Sequence, residues 1–108
     1  MSIYTKSHPH TLGSGKLVVE FEWDEAKRAE IYEKHGVDLL EAALIFENDV
    51  FEKEDTRRDY GEKRMIALGM VDSEVYIVVY TKRNDVYRLI TAWKGGQNDR
   101  ERYEESKS

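Results

Sequence analysis

A chain of 108 residues with 17 Lys and Arg against 22 Asp and Glu carries a formal net charge of −5 and has no cysteine. That length suits a single domain, and the missing cysteines exclude a disulfide framework, a thiolate nucleophile and a Cys-based zinc site. The acidic balance argues against a protein that coats nucleic acid through bulk charge, while leaving room for a local basic cleft.

Residues 1–17 show neither helical nor strand periodicity and hold the only proline and a Gly-Ser-Gly stretch, so they are expected to form a flexible leader. Gly13-Ser14-Gly15-Lys16 fails as a phosphate loop, because His10 and Leu17 stand where Gly and Ser or Thr are needed. His8 and His10 are too few for a metal site. No apolar run reaches about 18 residues and no signal-peptide plan opens the chain, so a cytoplasmic protein with no membrane partner is expected.

The domain proper is expected over 18–105, with 106–108 as a tail. From Val18 to Trp23 apolar and acidic residues alternate, the period of a half-buried strand. Asp24 then suits a helix N-cap, the helix runs from Glu25 to His35, and Gly36 supplies the left-handed stop. Asp38 and Glu41 open a second helix that reaches about Glu47, with Leu39, Leu40, Ala43, Leu44 and Phe46 on its apolar stripe. From Val50 the period becomes two. Strands are expected over 50–54, 64–70, 75–83 and 86–94, with a charged loop over 55–62 and Asn84-Asp85 as a hairpin turn. Gly95-Gly96 ends the last strand, and a short charged helix begins at Asn98 or Asp99. The fold class is therefore α+β: a short N-terminal strand, two packed helices, an antiparallel meander of three or four strands and a short C-terminal helix.

Several quoted stretches together resemble the BrnT family of type II toxin-antitoxin ribonuclease toxins. They are Phe21-Glu22-Trp23-Asp24-Glu25-Ala26-Lys27, Lys34-His35-Gly36-Val37, Gly61-Glu62-Lys63-Arg64, Ala67-Leu68-Gly69, Val78-Val79-Tyr80-Thr81, Tyr87-Arg88-Leu89-Ile90 and Glu101-Arg102-Tyr103-Glu104. The resemblance implies a RelE-like fold, RNA cleavage that suppresses translation, and neutralisation by a small BrnA-like antitoxin of ribbon-helix-helix type, with DNA reached only through that antitoxin. Two departures stand out: Trp93-Lys94 follow Ala92 where many members have Arg, and Glu30 replaces a frequent Asn.

Metal-free RNA cleavage needs a base, cations on the phosphate and an acid. Strand alternation places Arg64 with Ile66, Leu68 and Met70, and Arg88 with Val86, Ile90 and Ala92, so both are candidate phosphate ligands at strand ends. Each also suits a rim arginine whose stem covers core. The resemblance adds Lys27 as a second cation or base, against the ordinary reading of a solvated helix lysine. Arg83, Lys94, Arg57 and Trp93 are the RNA-binding candidates; Arg57 is equally at home in a charge-mixed loop, and Trp93 in antitoxin binding. His35 reads as a helix cap rather than a proton shuttle. No metal-ligand spacing occurs in the domain and no cofactor is implied. The competing readings are a non-catalytic module that binds an antitoxin-like regulator and, more weakly, a small-molecule enzyme.

Overall fold

A computed structural model describes residues 3–12 and 15–107, with side chains from Glu20 onward. The elements run β1 (Ile3–Leu12), β2 (Gly15–Asp24), α1 (Glu25–His35), α2 (Leu39–Ala42), a 3-10 segment (Ala43–Glu47), β3 (Phe51–Glu54), β4 (Met65–Val71), β5 (Glu74–Arg83), β6 (Val86–Lys94) and α3 (Gln97–Ser106). They build one six-stranded sheet in the order β1-β2-β6-β5-β4-β3. β3 to β6 form the expected antiparallel meander, and β2 joins it through a parallel pairing with β6.

Local chemistry explains the helix ends. The Asp24 carboxylate accepts the backbone N–H groups of Ala26 and Lys27, and Gly36 closes α1 at φ 68° with its N–H on the Tyr32 carbonyl. Asp38 caps α2 in the same way, accepting from Leu40. Its carboxylate also receives two guanidinium bonds of 2.9 Å from Arg28, which ties the first turn of α1 to the start of α2. Both hairpin turns hold two residues at positive φ, Asp72-Ser73 and the expected Asn84-Asp85.

Three expectations need correction. The second helix does not continue as an α-helix to Glu47 but tightens after Ala42 into a 3-10 turn. This segment lies against the sheet at Gly69, where an added Cβ would stand 2.6 Å from Cβ of Ile45. Residues 3–12, expected to stay outside the fold, run as β1 antiparallel to β2, which itself begins at Gly15 rather than Val18. Backbone pairing of this kind needs no side-chain alternation, because the edge of β2 offers free N–H and C=O groups. The side chains of His8 and His10 lie outside the described residues.

The third correction concerns β6. The pairing jumps from Val79–Thr91 to Tyr80–Leu89, so Ile90 is bulged out of register. The bulge exchanges the faces of everything beyond it. Leu89 and Ala92 therefore both point into the main core, whereas Trp93 packs with Leu68, Val75, Ile77 and Tyr103 on the opposite face. Arg88 keeps its partner Val86 but not Ala92, and Trp93 lies on the face opposite Tyr87 and Leu89, where unbroken alternation would have set it beside them.

Two apolar clusters follow from this arrangement. On one face α1, α2 and the 3-10 segment bury Phe21, Trp23, Ile31, Leu39, Ile45, Phe46, Val78 and Tyr80. Tyr80 and Tyr87 stack there with centroids 4.7 Å apart, and Tyr80 donates its hydroxyl hydrogen to Glu52 at 2.5 Å. On the second face α3 seats Tyr103 beside Leu68, Val75 and Ile77, and the Tyr103 hydroxyl donates to the Asp49 carbonyl.

Candidate functional site

The second face carries the charged chemistry. Glu22, Arg88 and Thr81 lie side by side on β2, β6 and β5, since Glu22 pairs with Arg88 and Arg88 with Thr81. Continuing the β4–β5 register one step past Met65–Tyr80 sets Arg64 opposite Thr81, so one transverse row crosses four strands. Thr81 is buried and donates to the Lys63 carbonyl at 2.7 Å, which draws the approach to Arg64 onto the sheet. Arg83, two residues beyond Thr81, extends the group.

Glu62 sits among the three guanidiniums. Arg83 donates to it at 2.7 Å, and Arg64 stands 3.8 Å away, beyond hydrogen-bond range. The bond from Arg83, followed by the charges of Arg83, Arg64 and Arg88, holds the Glu62 carboxyl below the usual carboxylate range against the opposing effect of desolvation. Arg88 donates to Glu22 at 3.2 Å. Three arginines against two glutamates leave the row with a positive excess.

Arg64 differs from its neighbours. Its guanidinium lies over the Tyr60 ring at 4.1 Å, and its buried Nε has no hydrogen-bond partner among the described residues. Leaving such a donor unmatched costs about 1–3 kcal/mol, which an incoming anion would recover. The loop over 55–64 that delivers Tyr60, Glu62 and Arg64 is anchored by Asp55, whose side chain is fully buried. That carboxylate takes Arg57 through Nε and a terminal nitrogen at 2.8 Å each, and the Tyr60 hydroxyl at 3.1 Å. Bonding from Arg57 first, then its backbone N–H and Tyr60, keeps Asp55 ionised far below its ordinary range despite burial.

Further along the same face lies a cavity of about 160 Å³, lined by Phe51, Lys53, Ile66, Leu68, Ile77 and Trp93 with Asp99 and Arg102 of α3. The Arg57 guanidinium stands 5.7 Å from the centroid of the Trp93 ring.

Thus Arg64, Arg83 and Arg88 come together, and Arg57 and Trp93 meet beside them. Lys27 and Lys94 do not join this group. Lys27 is exposed on α1, whose buried Ile31 packs on the opposite face of the sheet. Lys94 pairs with Tyr76 at the far end of β6, on the helix-covered face, and its ammonium contacts Glu74 at 3.1 Å. Sequence reasoning missed Glu22 and Glu62 as members of the site. The outward position of Glu22 in the β2 alternation was visible, but its neighbour depends on a parallel pairing between residues 66 positions apart. Among the described residues no cluster of His, Asp and Glu is placed to hold a metal, and no helix is long and apolar enough to cross a membrane.

In this small α+β domain, guanidiniums converge at one end of the sheet, an arrangement chemically suited to an anion. The family model described as "Ribonuclease toxin, BrnT, of type II toxin-antitoxin system" matches residues 23–99, most of the chain, and the protein belongs to that family. The match begins one residue after Glu22. No curated protein matches the chain.

Proposed function

We propose that this toxin cleaves single-stranded RNA without a metal, with the phosphate held by Arg64, Arg83 and Arg88. The observation that carries this reading is the unmatched, buried Nε of Arg64 inside a row of three guanidiniums. Fixed guanidiniums supply the charge that a phosphorane-like transition state needs, and their planar forks suit two oxygens at once. The 2′-oxygen attacks phosphorus to form a 2′,3′-cyclic phosphate, the bond to the 5′-oxygen breaks with that oxygen taking a proton from solvent water, and the cation row stabilises the charge that gathers on the non-bridging oxygens. We assign the 2′-hydroxyl proton to Glu22. Glu62 is held more closely, by Arg83 at 2.7 Å against the 3.2 Å contact between Arg88 and Glu22. Lys27, in the opposite layer, has no part in this step, and Lys94 is too far along β6 to reach the same phosphate.

In this reading the fold is RelE-like, cleavage suppresses translation in the cytoplasm, and a BrnA-like ribbon-helix-helix antitoxin neutralises the protein and provides its link to DNA. The test is cleavage of a defined RNA by purified protein with and without a chelator. The reading requires equal rates in both, and loss of cleavage in Arg64→Ala and Arg88→Ala.

A second reading, a binding module without turnover, draws on the carboxylates that already occupy Arg83 and Arg88. An inert purified protein that still binds an antitoxin would establish it.

A further inference from the structure

Arg57 is an RNA-binding candidate by its charge, and its surroundings specify the task. Its Nε and one terminal nitrogen are committed to the buried carboxylate of Asp55, each at 2.8 Å. One of its two forks is therefore occupied, and its charge is matched by a partner that hydrogen bonding keeps ionised despite burial. Beside that fork, the guanidinium carbon stands 5.7 Å from the centroid of the Trp93 ring, so a planar cation and an indole lie together. Trp93 lines a cavity with an apolar floor of Ile66, Leu68 and Ile77, and Arg57 stands beside that ring.

We propose that Arg57, Trp93 and this cavity form a stacking subsite for one unpaired nucleobase of the RNA. The proposal rests on the reading of the arginine row as the phosphate site and specifies how the chain next to that phosphate is held. Four considerations support it. Guanidinium and indole faces are both protein surfaces on which bases stack with little regard to sequence. A dry cavity of roughly 150 Å³ holds one benzene ring, so a volume of about 160 Å³ suits a six-membered base ring. The subsite lies on the same face as the arginine row, and Leu68 is four residues along β4 from Arg64, about 13 Å at the usual strand rise. That span places the base one or two nucleotides from the phosphate on the row. Finally, Asp55 fixes the subsite and the row together, because it holds Arg57 directly and supports Arg64 through Tyr60.

The experiment is a binding scan with short, uncleavable 2′-O-methyl RNAs in which one nucleotide at a time is abasic, measured by fluorescence anisotropy on the full chain. For the wild type, one position is expected to weaken binding about tenfold when its base is removed, as the loss of one stack would. In Arg57→Ala the intact RNA should bind about tenfold more weakly, with no further loss at that position, since base and side chain act as one unit. Trp93→Phe should retain part of the coupling, and because it preserves a ring against Leu68 and Ile77 it guards against a folding defect. Loss of base and loss of side chain that simply add at every position would overturn the subsite, as would an RNA that does not bind at all. Coupled binding without cleavage by the wild type would keep the subsite and refute the nuclease reading. Cleavage without coupling would do the reverse.

Discussion

Glu22 and Arg88 face each other across the parallel junction of β2 and β6, with Nη1 of the arginine 3.2 Å from Oε1 of the glutamate. Both are roughly one-fifth exposed, so the pair is neither a fully solvated contact nor a sealed one. A phosphate approaching Arg88 competes with Glu22, and a proton acceptor stands beside the cation as it does so. Glu22→Gln should therefore separate binding from chemistry. Affinity for an uncleavable RNA should rise several-fold while cleavage falls about a hundredfold, the usual loss of a general base. Equal changes in both would remove Glu22 from the reaction.

Arg64→Ala should lower the cleavage rate by about 10²–10³, the range found when a preorganised donor to a charged intermediate is removed. Its urea midpoint should fall little, because Nε makes no hydrogen bond and the guanidinium gives up only its contact with the Tyr60 ring and a 3.8 Å approach to Glu62. Arg64→Lys should recover only part of the rate, since an ammonium lacks the planar fork. A midpoint that drops with the activity would assign Arg64 to the scaffold instead.

Lys27 supplies a control of position. It lies on α1, which packs on the face of the sheet opposite the arginine row. Lys27→Ala is expected to keep cleavage and growth arrest within about threefold of wild type, the small effect typical of an exposed substitution. A hundredfold loss would mean that RNA wraps around the edge of the sheet to reach both faces.

Gly69→Ala should destabilise the protein by about 1–3 kcal/mol in urea denaturation, the ordinary cost of overpacking. The new Cβ would meet Cβ of Ile45 at 2.6 Å, and neither the strand nor the 3-10 segment has a flexible side-chain end to move aside.

Acid should unfold the protein through its arginine-bound carboxylates. Asp55, Asp38 and Glu62 are all held below their ordinary range, chiefly by hydrogen bonds from Arg57, Arg28 and Arg83 in turn. A carboxyl with a depressed folded pKa contributes stability that is complete above its unfolded value of about 4 and declines as pH falls toward the folded value. Unfolding free energy should accordingly be level from pH 7 to about 5 and fall steeply below about 4. Asp55→Asn should be less stable at pH 7 and show a shallower acid limb. An unchanged limb would show that Asp55 does not stay ionised in the folded chain.

Much of the scaffold was legible in local chemistry. The cap at Asp24, the left-handed stop at Gly36 and the Asn84-Asp85 turn each depend on residues within four positions, and each falls where expected. The limits of β4, β5 and β6 followed from alternation to within a residue. Alternation failed at one bulge. Ile90 slips out of register, and from there every face assignment reverses, which moves Trp93 from the tyrosine face to the arginine face. A bulge is invisible in a period-2 pattern, because its cause is the fit between two strands rather than the order of residues in one.

The candidate site divides in the same way. Charge, residue type and family motif singled out Arg57, Arg64, Arg83, Arg88, Trp93, Lys27 and Lys94 as cations and aromatics worth testing, because those chemical properties belong to the side chains themselves. Which of them meet was decided by tertiary structure alone: strand order set Glu22 beside Arg88, and the Asp55-anchored loop carried Glu62 among three guanidiniums. Helix packing on the far face kept Lys27 apart. Proximity between distant segments arises from the pairing and layering of whole elements, so it is a property of the assembled sheet and not of any stretch of sequence.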